Sequence, residues 1–298
     1  RIGRHDNFFE LGGNSLLALQ VVSQLRDRFE LELPLKILFQ SRTLAGLAAE
    51  TAGAIAARQH APRVPPIVAS SHQELVRLSY SQERMWLIQA LDPENTAYNM
   101  AFAIKIAGPL ATDALVRTFD LLIQRHEILR TKIRLVNDQP LQEVQPWSGP
   151  GLTVVDYQTE GESAAIREAE REAKQPFDLT NDPVIRTKLY RTGPETHVLA
   201  VVLHHIAGDQ WSIGILGREL AQLYNGLRRH TQPELNPLPI SYRDYAAWQR
   251  DAAFAPEVER QLVYWRQQLS DLPVLDLPTD RPRPTLRSLR GSFHMAPL

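Results

Sequence analysis

The sequence predicts a small all-helical unit, then a linker, then a larger domain of layered α/β type. Three observations carry that prediction. Residues 8–50 show apolar residues near the helical period behind a glycine turn, and residues 52–76 lose all periodicity. From about residue 78, short apolar runs alternate with amphipathic stretches, the pattern of helices layered on a sheet. At 298 residues the chain has room for two or three domains, or for one domain with an appendage.

Composition narrows the function classes. Hydrophobic residues make up 43% and charged residues 22%, the proportions of an ordinary globular protein. A net charge of −1, with arginines scattered among acids, offers no electrostatic case for nucleic acid or an anionic membrane. No apolar run approaches the roughly 18 residues needed to span a bilayer. No basic start leads into an apolar stretch, so a signal peptide is not expected either. Zero cysteines remove disulfides, thiolate zinc sites and cysteine nucleophiles together. The expected location is the cytoplasm.

Taken in order, Leu16, Leu19, Val22 and Leu25 recur near the helical period, and Asn14 or Ser15 is placed to cap the first turn. Pro34 opens a second helical piece, Leu35 to Phe39, and Thr43 caps a third beginning at Leu44. Ala61-Pro62-Arg63-Val64-Pro65-Pro66 has no period and reads as a semi-rigid linker. Beyond it, Ala101–Ile106, Leu152–Val155, Val184–Tyr190 and His197–Leu203 read as strands. Thr112–His126, Glu162–Gln175 and Ser212–Arg228 read as helices, and Pro278–Pro284 as a crossing loop. No repeat occurs at solenoid periods.

Two places carry chemistry. Leu11-Gly12-Gly13-Asn14-Ser15-Leu16 is a glycine turn opening a helix. Ser15 is there either a plain N-cap or an attachment point, since free amides and the positive helix end would stabilise an anion on its oxygen. The second place follows the apolar run Val198–Leu203, which reads as a fully buried strand: His204-His205-Ile206-Ala207-Gly208-Asp209. The histidines are structural, metal-binding or catalytic. His205 and Asp209 are four apart, but that spacing places two metal ligands on one face only within a helix, and no third ligand is evident, so no metal is expected.

At this point a resemblance enters. Asp6-Asn7-Phe8-Phe9-Glu10-Leu11-Gly12-Gly13-Asn14-Ser15-Leu16 resembles the core motif of peptidyl carrier domains of nonribosomal peptide synthetases. His204–Ser212 resembles the HHxxxDG signature of the condensation domains of the same synthetases. Leu78–Trp86, Arg125–Thr131 and Tyr242–Trp248 resemble that family's first, second and fourth motifs, in the expected order. The resemblance implies an all-α carrier bundle without its first helix over residues 1–51, a linker over 52–76, and an α/β chloramphenicol-acetyltransferase-like domain. Residues 77–248 would form its N-terminal lobe, and 249–298 the crossover and the start of a largely absent second lobe. A tunnel between the two lobes would run past the histidines.

The resemblance further implies 4′-phosphopantetheine on Ser15, attached by a phosphopantetheinyl transferase from coenzyme A. It implies an upstream adenylation domain and a downstream aminoacyl carrier as partners. The reaction would be amide formation, the downstream amine attacking the upstream thioester. His205 takes the main role, as base or as positioning group, and His204 packs beneath it. Asp209 either orients His205 or forms a buried ion pair with Arg125; the ion pair is the preferred reading. Arg130, Tyr245 and Trp248 are expected to be structural. The signature has glycine after the aspartate, where this chain has Gln210. If that position needs a positive φ or close approach of the pantetheine arm, glutamine strains the loop or obstructs the tunnel, and condensation is slower.

Epimerisation domains share the histidine pair, but Asp209-Gln210-Trp211-Ser212 has the condensation order. Heterocyclisation domains carry aspartates in place of the histidines. Asn14 before the serine resembles carriers that feed a condensation domain directly, which implies an L-configured donor (LCL type). The alternatives are a docking and presentation module without catalysis and a free acetyltransferase-like enzyme.

Overall fold

The computed structural model describes residues 2–29, 31, 33–56, 65–70, 75–231, 235–273, 275 and 277–282. The chain divides into two compact units, Arg1–Pro66 and Ile67–Leu298.

In the first unit the helices are α1 (Ser15–Phe29), α2 (Lys36–Gln40) and α3 (Leu44–Ala56). Ala18, Val22, Leu31, Leu33, Ile37, Leu38 and Leu47 form its buried core, with Phe8, Phe9 and Leu25 packed against it. The leucine stripe read from the sequence is half wrong. Leu16 and Leu19 are 44% and 47% exposed, and the true inward stripe is Ala18, Val22 and Leu25. A strict spacing of three drifts around a helix that turns about 100° per residue, so Leu16 and Leu25 fall on opposite sides. Thr43 caps α3 as expected, its Oγ1 accepting from the Gly46 amide at 3.1 Å. α3 runs on to Ala56, so residues 52–56, expected in the linker, are helical. The middle of that linker, 57–64, and positions 71–74 lie outside the described residues.

The second unit contains two sheets. One has the order β2-β7-β6-β5, from β2 (Asn99–Ala107), β7 (Thr196–His204), β6 (Ile185–Arg191) and β5 (Thr153–Asp156). Its first three strands pair antiparallel, and β5 lies parallel to β6. The other has the order β1-β4-β3, from β1 (Val76–Arg77), β4 (Gln139–Val144) and β3 (Thr131–Val136). The helices are α4 (Tyr80–Leu91), α5 (Thr112–Arg125), α6 (Glu162–Ala173), α7 (Gln210–Arg228), α8 (Tyr242–Gln249) and α9 (Ala255–Gln268), with a short 3-10 turn at Glu127–Arg130.

Helices cover both faces of the larger sheet. Val198 and Ala200 of β7 pack with Ala165 and Ala169 of α6, while Leu199 and Val201 pack with Leu115 and Phe119 of α5 and Leu220 of α7. β7 is thus buried on both sides, which is why its sequence is an unbroken apolar run rather than an alternating one.

The β3–β4 hairpin has no counterpart among the sequence expectations. Its signal is Asn137-Asp138, both at positive φ (50° and 60°) as a two-residue primed turn requires. Nor do α4 and α8. Each opens on a capping box, Ser79 with Gln82 and Ser241 with Asp244, which is readable in the sequence. The expected crossing loop at 278–284 is irregular as far as residue 282, and the remainder lies outside the described residues.

Candidate active site and carrier serine

In the first unit, Gly12 takes φ +93°, and Gly13 lies against Phe8. The Gly13 amide donates to the Phe8 carbonyl at 2.9 Å. A Cβ at position 13 would stand 2.4 Å from the Phe8 ring, so only glycine closes this turn without displacement. Asn14 caps α1: its Oδ1 accepts from the Leu16 and Leu17 amides, each at 3.0 Å. With the cap supplied by Asn14, the plain N-cap reading of Ser15 falls. Ser15 is the exposed first residue of α1, and its hydroxyl has no hydrogen-bond partner among the described residues.

In the second unit, β7 ends at His204 and the chain turns through residues 205–208 into α7. His204 is fully buried. Its Nδ1 accepts from the Ile206 amide at 3.1 Å, pinning the turn from beneath, and the Phe177 ring meets it edge-on at 5.6 Å. Burial, then the neighbouring His205 and Arg186 charges, push the His204 pKa down to about 4, so it is neutral at physiological pH. His205 is half-buried. Its amide donates to the Tyr98 carbonyl at 2.8 Å, and the Tyr98 ring packs edge-on at 6.2 Å. Its Nδ1 is buried without a partner among the described residues.

Asp209 is the N-cap of α7, its Oδ1 accepting from the Ser212 amide at 2.9 Å and from the Ser212 hydroxyl at 2.8 Å. Burial would raise its pKa, but the Ser212 amide and hydroxyl, the Trp211 amide and the His205 charge together hold it below the ordinary range. The expected ion pair with Arg125 is not formed. Arg125 Nε instead reaches both Glu219 oxygens at 3.2 and 3.1 Å, and Nη2 donates to the Asn236 carbonyl at 2.7 Å. His126 Nε2 lies 2.7 Å from Glu219 Oε2. The arginine of the second motif therefore ties α5 to α7 and leaves Asp209 to the helix end. Glu219 carries no signal in the sequence, being one acid among 34 acidic residues.

Gln210 is the first residue of α7 and is exposed. The residues with positive φ do not include it, so the strain expected of glutamine at this position does not arise.

The remaining motif residues form a scaffold. Ser79 Oγ and Tyr242 Oη are 2.9 Å apart, Arg250 donates to the Leu78 carbonyl at 3.0 Å and pairs with Glu83, and Arg243 pairs with Glu127 at 3.0 Å. Asp244 accepts from the Ser70 amide at 2.8 Å, which anchors residues 67–70 to the second unit although the sequence assigns them to the linker. Arg130 donates to the Gln145 carbonyl at 2.7 Å, and Tyr245 packs on Trp248 at 5.9 Å. A cavity of about 960 Å³ borders the turn at Ala207 and is walled by Trp211, Ser212, His126, Tyr242 and Tyr245 among others.

The site residues thus comprise a histidine pair at the end of a central strand, beside a capped helix start, and, in the first unit, an exposed serine at a helix mouth. Residues 72–296 match the condensation domain family and residues 1–50 the phosphopantetheine attachment site. The chain belongs to the condensation-domain family, with its chloramphenicol-acetyltransferase-like fold, and carries a carrier segment of the nonribosomal peptide synthetase kind in front of it. It is similar to one of the linear gramicidin synthase proteins of Brevibacillus parabrevis, 39% identical over 99% of this chain and 4% of that synthase. It is likewise similar to malpibaldin synthetase of Mortierella alpina, 39% identical over 98% of this chain and 5% of that protein. The chain thus spans only a small fraction of the length of these relatives. Among solved structures it is similar to the X-domain in a complex of the X-domain and OxyB from teicoplanin biosynthesis: 31% identity, TM-score 0.68, covering 75% of this chain and 50% of that one. Among the described residues no helix is long and apolar enough to cross a membrane.

Proposed function

We propose that the domain joins a donor thioester to the amine of an aminoacyl group on a downstream carrier, that His205 acts on that amine, and that Ser15 is the phosphopantetheine attachment point. The observation that carries the reading is the setting of His205. Its backbone is fixed to the Tyr98 carbonyl, and a buried neutral histidine pins the turn beneath it. With Nδ1 buried, Nε2 is the ring nitrogen available to a substrate.

The exposed hydroxyl at the mouth of α1 suits a bulky modification on Ser15, and the positive end of the helix favours its negative charge although Asn14 already takes the Leu16 and Leu17 amides. When attached, phosphopantetheine supplies the thiol on which an acyl group is held as an activated thioester. The chain's own residues then need only to position the amine and manage its proton while the C–N bond forms. Imidazole suits both proton removal and orientation near neutral pH. Asp209 holds the start of α7 in place, and the cavity beside Trp211 and Tyr242 gives an approach to the same turn. This reading requires a phosphopantetheinyl transferase with coenzyme A, an adenylation domain upstream and an aminoacyl carrier downstream. An L-configured donor is part of it.

The test has two arms. Intact mass after incubation with coenzyme A and a broad-specificity transferase gains one phosphopantetheine in the wild type and none in Ser15→Ala. In the full synthetase module with loaded carriers, His205→Ala loses amide formation while loading of both carriers persists. Unchanged amide formation in His205→Ala refutes the role of that residue.

One observation favours a second reading. The similar X-domain was solved in a complex with OxyB. On this reading the domain recruits another enzyme to the carrier. Full amide formation by the wild-type module decides against it.

A further inference from the structure

Two side chains of the larger sheet gather the carbonyls at the end of α6. Arg186 of β6 donates through Nη2 to the Gln175 carbonyl at 2.6 Å and the Glu172 carbonyl at 3.4 Å, and through Nη1 to the Pro176 carbonyl at 3.3 Å. Asn99 of β2 donates through Nδ2 to the Ala173 and Gln175 carbonyls at 2.9 and 2.8 Å. The last carbonyls of a helix have no partner within the helix, so these donors take the place of the missing ones. Among the described residues the Arg186 guanidinium bonds main-chain carbonyls alone, and the Glu172 carboxylate is paired with Lys188. Burial pushes the Arg186 pKa down from its ordinary value, and the charges of Glu172 and Asp182 oppose that. A half-buried cation with such partners has a use other than an ion pair.

That use is visible on the guanidinium's other contact. Arg186 Cζ stands 3.9 Å from the centroid of the Phe177 ring, a cation–π contact. Phe177 is buried, follows directly on the carbonyls that Arg186 holds, and meets the His204 ring at 5.6 Å with the two planes 78° apart. It shares a core cluster with Ile206 and Ala207 of the turn after β7. His204 Nδ1 in its place accepts from the Ile206 amide at 3.1 Å. Contacts therefore run without a gap from the end of α6 through Arg186, Phe177 and His204 to the turn that carries His205. Arg186 and Phe177 both lie outside the four motif segments of the sequence.

We propose that Arg186 is a positioning residue of the condensation site: by stacking on Phe177 and gathering the carbonyls before it, Arg186 fixes the ring against which His204 packs, and so fixes the turn that presents His205. Its charge works in the same direction. Burial first, then the His205 and Arg186 charges, disfavour a protonated His204, and only an unprotonated Nδ1 accepts the Ile206 amide. The remaining aromatic neighbour of His204 is Tyr98 at 6.2 Å. The effect on rate rests on the proposed role of His205, whereas the effect on the His204 ring stands apart from it.

The experiment joins side-chain NMR of the whole chain to kinetics of the full synthetase module. In the wild type, the Arg186 side-chain protons are expected to be shifted upfield by the Phe177 ring current, and in Phe177→Leu that shift is lost. In Arg186→Leu the His204 pKa is expected to rise from about 4 and, because burial persists, to stay below 6.5. In the module each single variant is expected to lower kcat about tenfold with KM retained. The double variant is expected to fall no further than about tenfold, since both changes remove one support. Phosphopantetheine loading on the first unit remains as in the wild type throughout. Arg186 protons without the upfield shift in the wild type overturn the proposal even if no variant folds. Unchanged His204 titration and kcat in a folded Arg186→Leu overturn it, and so does a double variant slowed about a hundredfold, the product of the two singles. The expected NMR signatures, together with amide formation that persists in His205→Ala, would instead fault the proposed function.

Discussion

Replacing Glu219 by alanine tests the ion-pair arrangement between α5 and α7. Glu219 is 13% exposed and faces Arg125 at 19% and His126 at 15%. Its removal leaves Arg125 Nε and the His126 ring without their acceptor, since of the Arg125 bonds only that to the Asn236 carbonyl remains. Breaking a buried pair from one side costs about 3–5 kcal/mol. The residual exposure places this case at the lower end, about 3 kcal/mol, or roughly a hundredfold in the folding equilibrium. For a unit of this size that lowers Tm by about 6–12 °C. By contrast Asp209→Ala removes a helix cap, worth about 1 kcal/mol. All five tryptophans lie after residue 66, so urea unfolding followed by tryptophan fluorescence reports on the second unit alone. Two double-mutant cycles complete the assay. Arg125→Ala with Glu219→Ala is expected to show a coupling of about 1–3 kcal/mol, and Arg125→Ala with Asp209→Ala is expected to be additive within about 0.5 kcal/mol. Strong coupling of Arg125 to Asp209, with none to Glu219, would refute the arrangement.

Two further predictions concern stability. His204 has a folded pKa of about 4 against an ordinary value of 6.5, so between those values the unfolded chain binds the extra proton. Its contribution is complete above pH 6.5 and is lost as the pH falls toward 4; it amounts to about 3 kcal/mol, and the slope of unfolding free energy in that window is expected to flatten in His204→Gln. Gly13→Ala sets a Cβ 2.4 Å from the Phe8 ring and 2.5 Å from its carbonyl oxygen, so the first unit is expected to lose about 1–3 kcal/mol, read as faster hydrogen exchange of the amides of α1 and α3 with the second unit unchanged.

Local signals in the sequence are enough for several elements, among them the strand end and the glycine turn that carry the two candidate sites. The run Val198–Leu203 is uninterrupted because both its faces are covered, and any buried strand with that pattern must end where polar residues begin. Gly13, Asn14 and Thr43 act within a few residues of themselves, so turn and cap chemistry is written in adjacent letters. The hairpin turn at Asn137-Asp138 and the boxes at Ser79 and Ser241 belong to the same local class, and their signals stand in the sequence just as plainly. Only the tertiary structure decided the partners. Arg125 chose Glu219, 94 positions away, over the motif aspartate, because α5 and α7 lie side by side while Asp209 is held by its own helix end. Which leucines of α1 face inward depended on where α2 and α3 packed. Asn99 stands opposite His204 through the register of two strands, and the His205 amide reaches the Tyr98 carbonyl just beyond the end of the same ladder. Such pairings arise from long-range packing, in which many residues of equal chemistry compete for one position, and that choice is made by the assembled core rather than by any neighbouring residue in the chain.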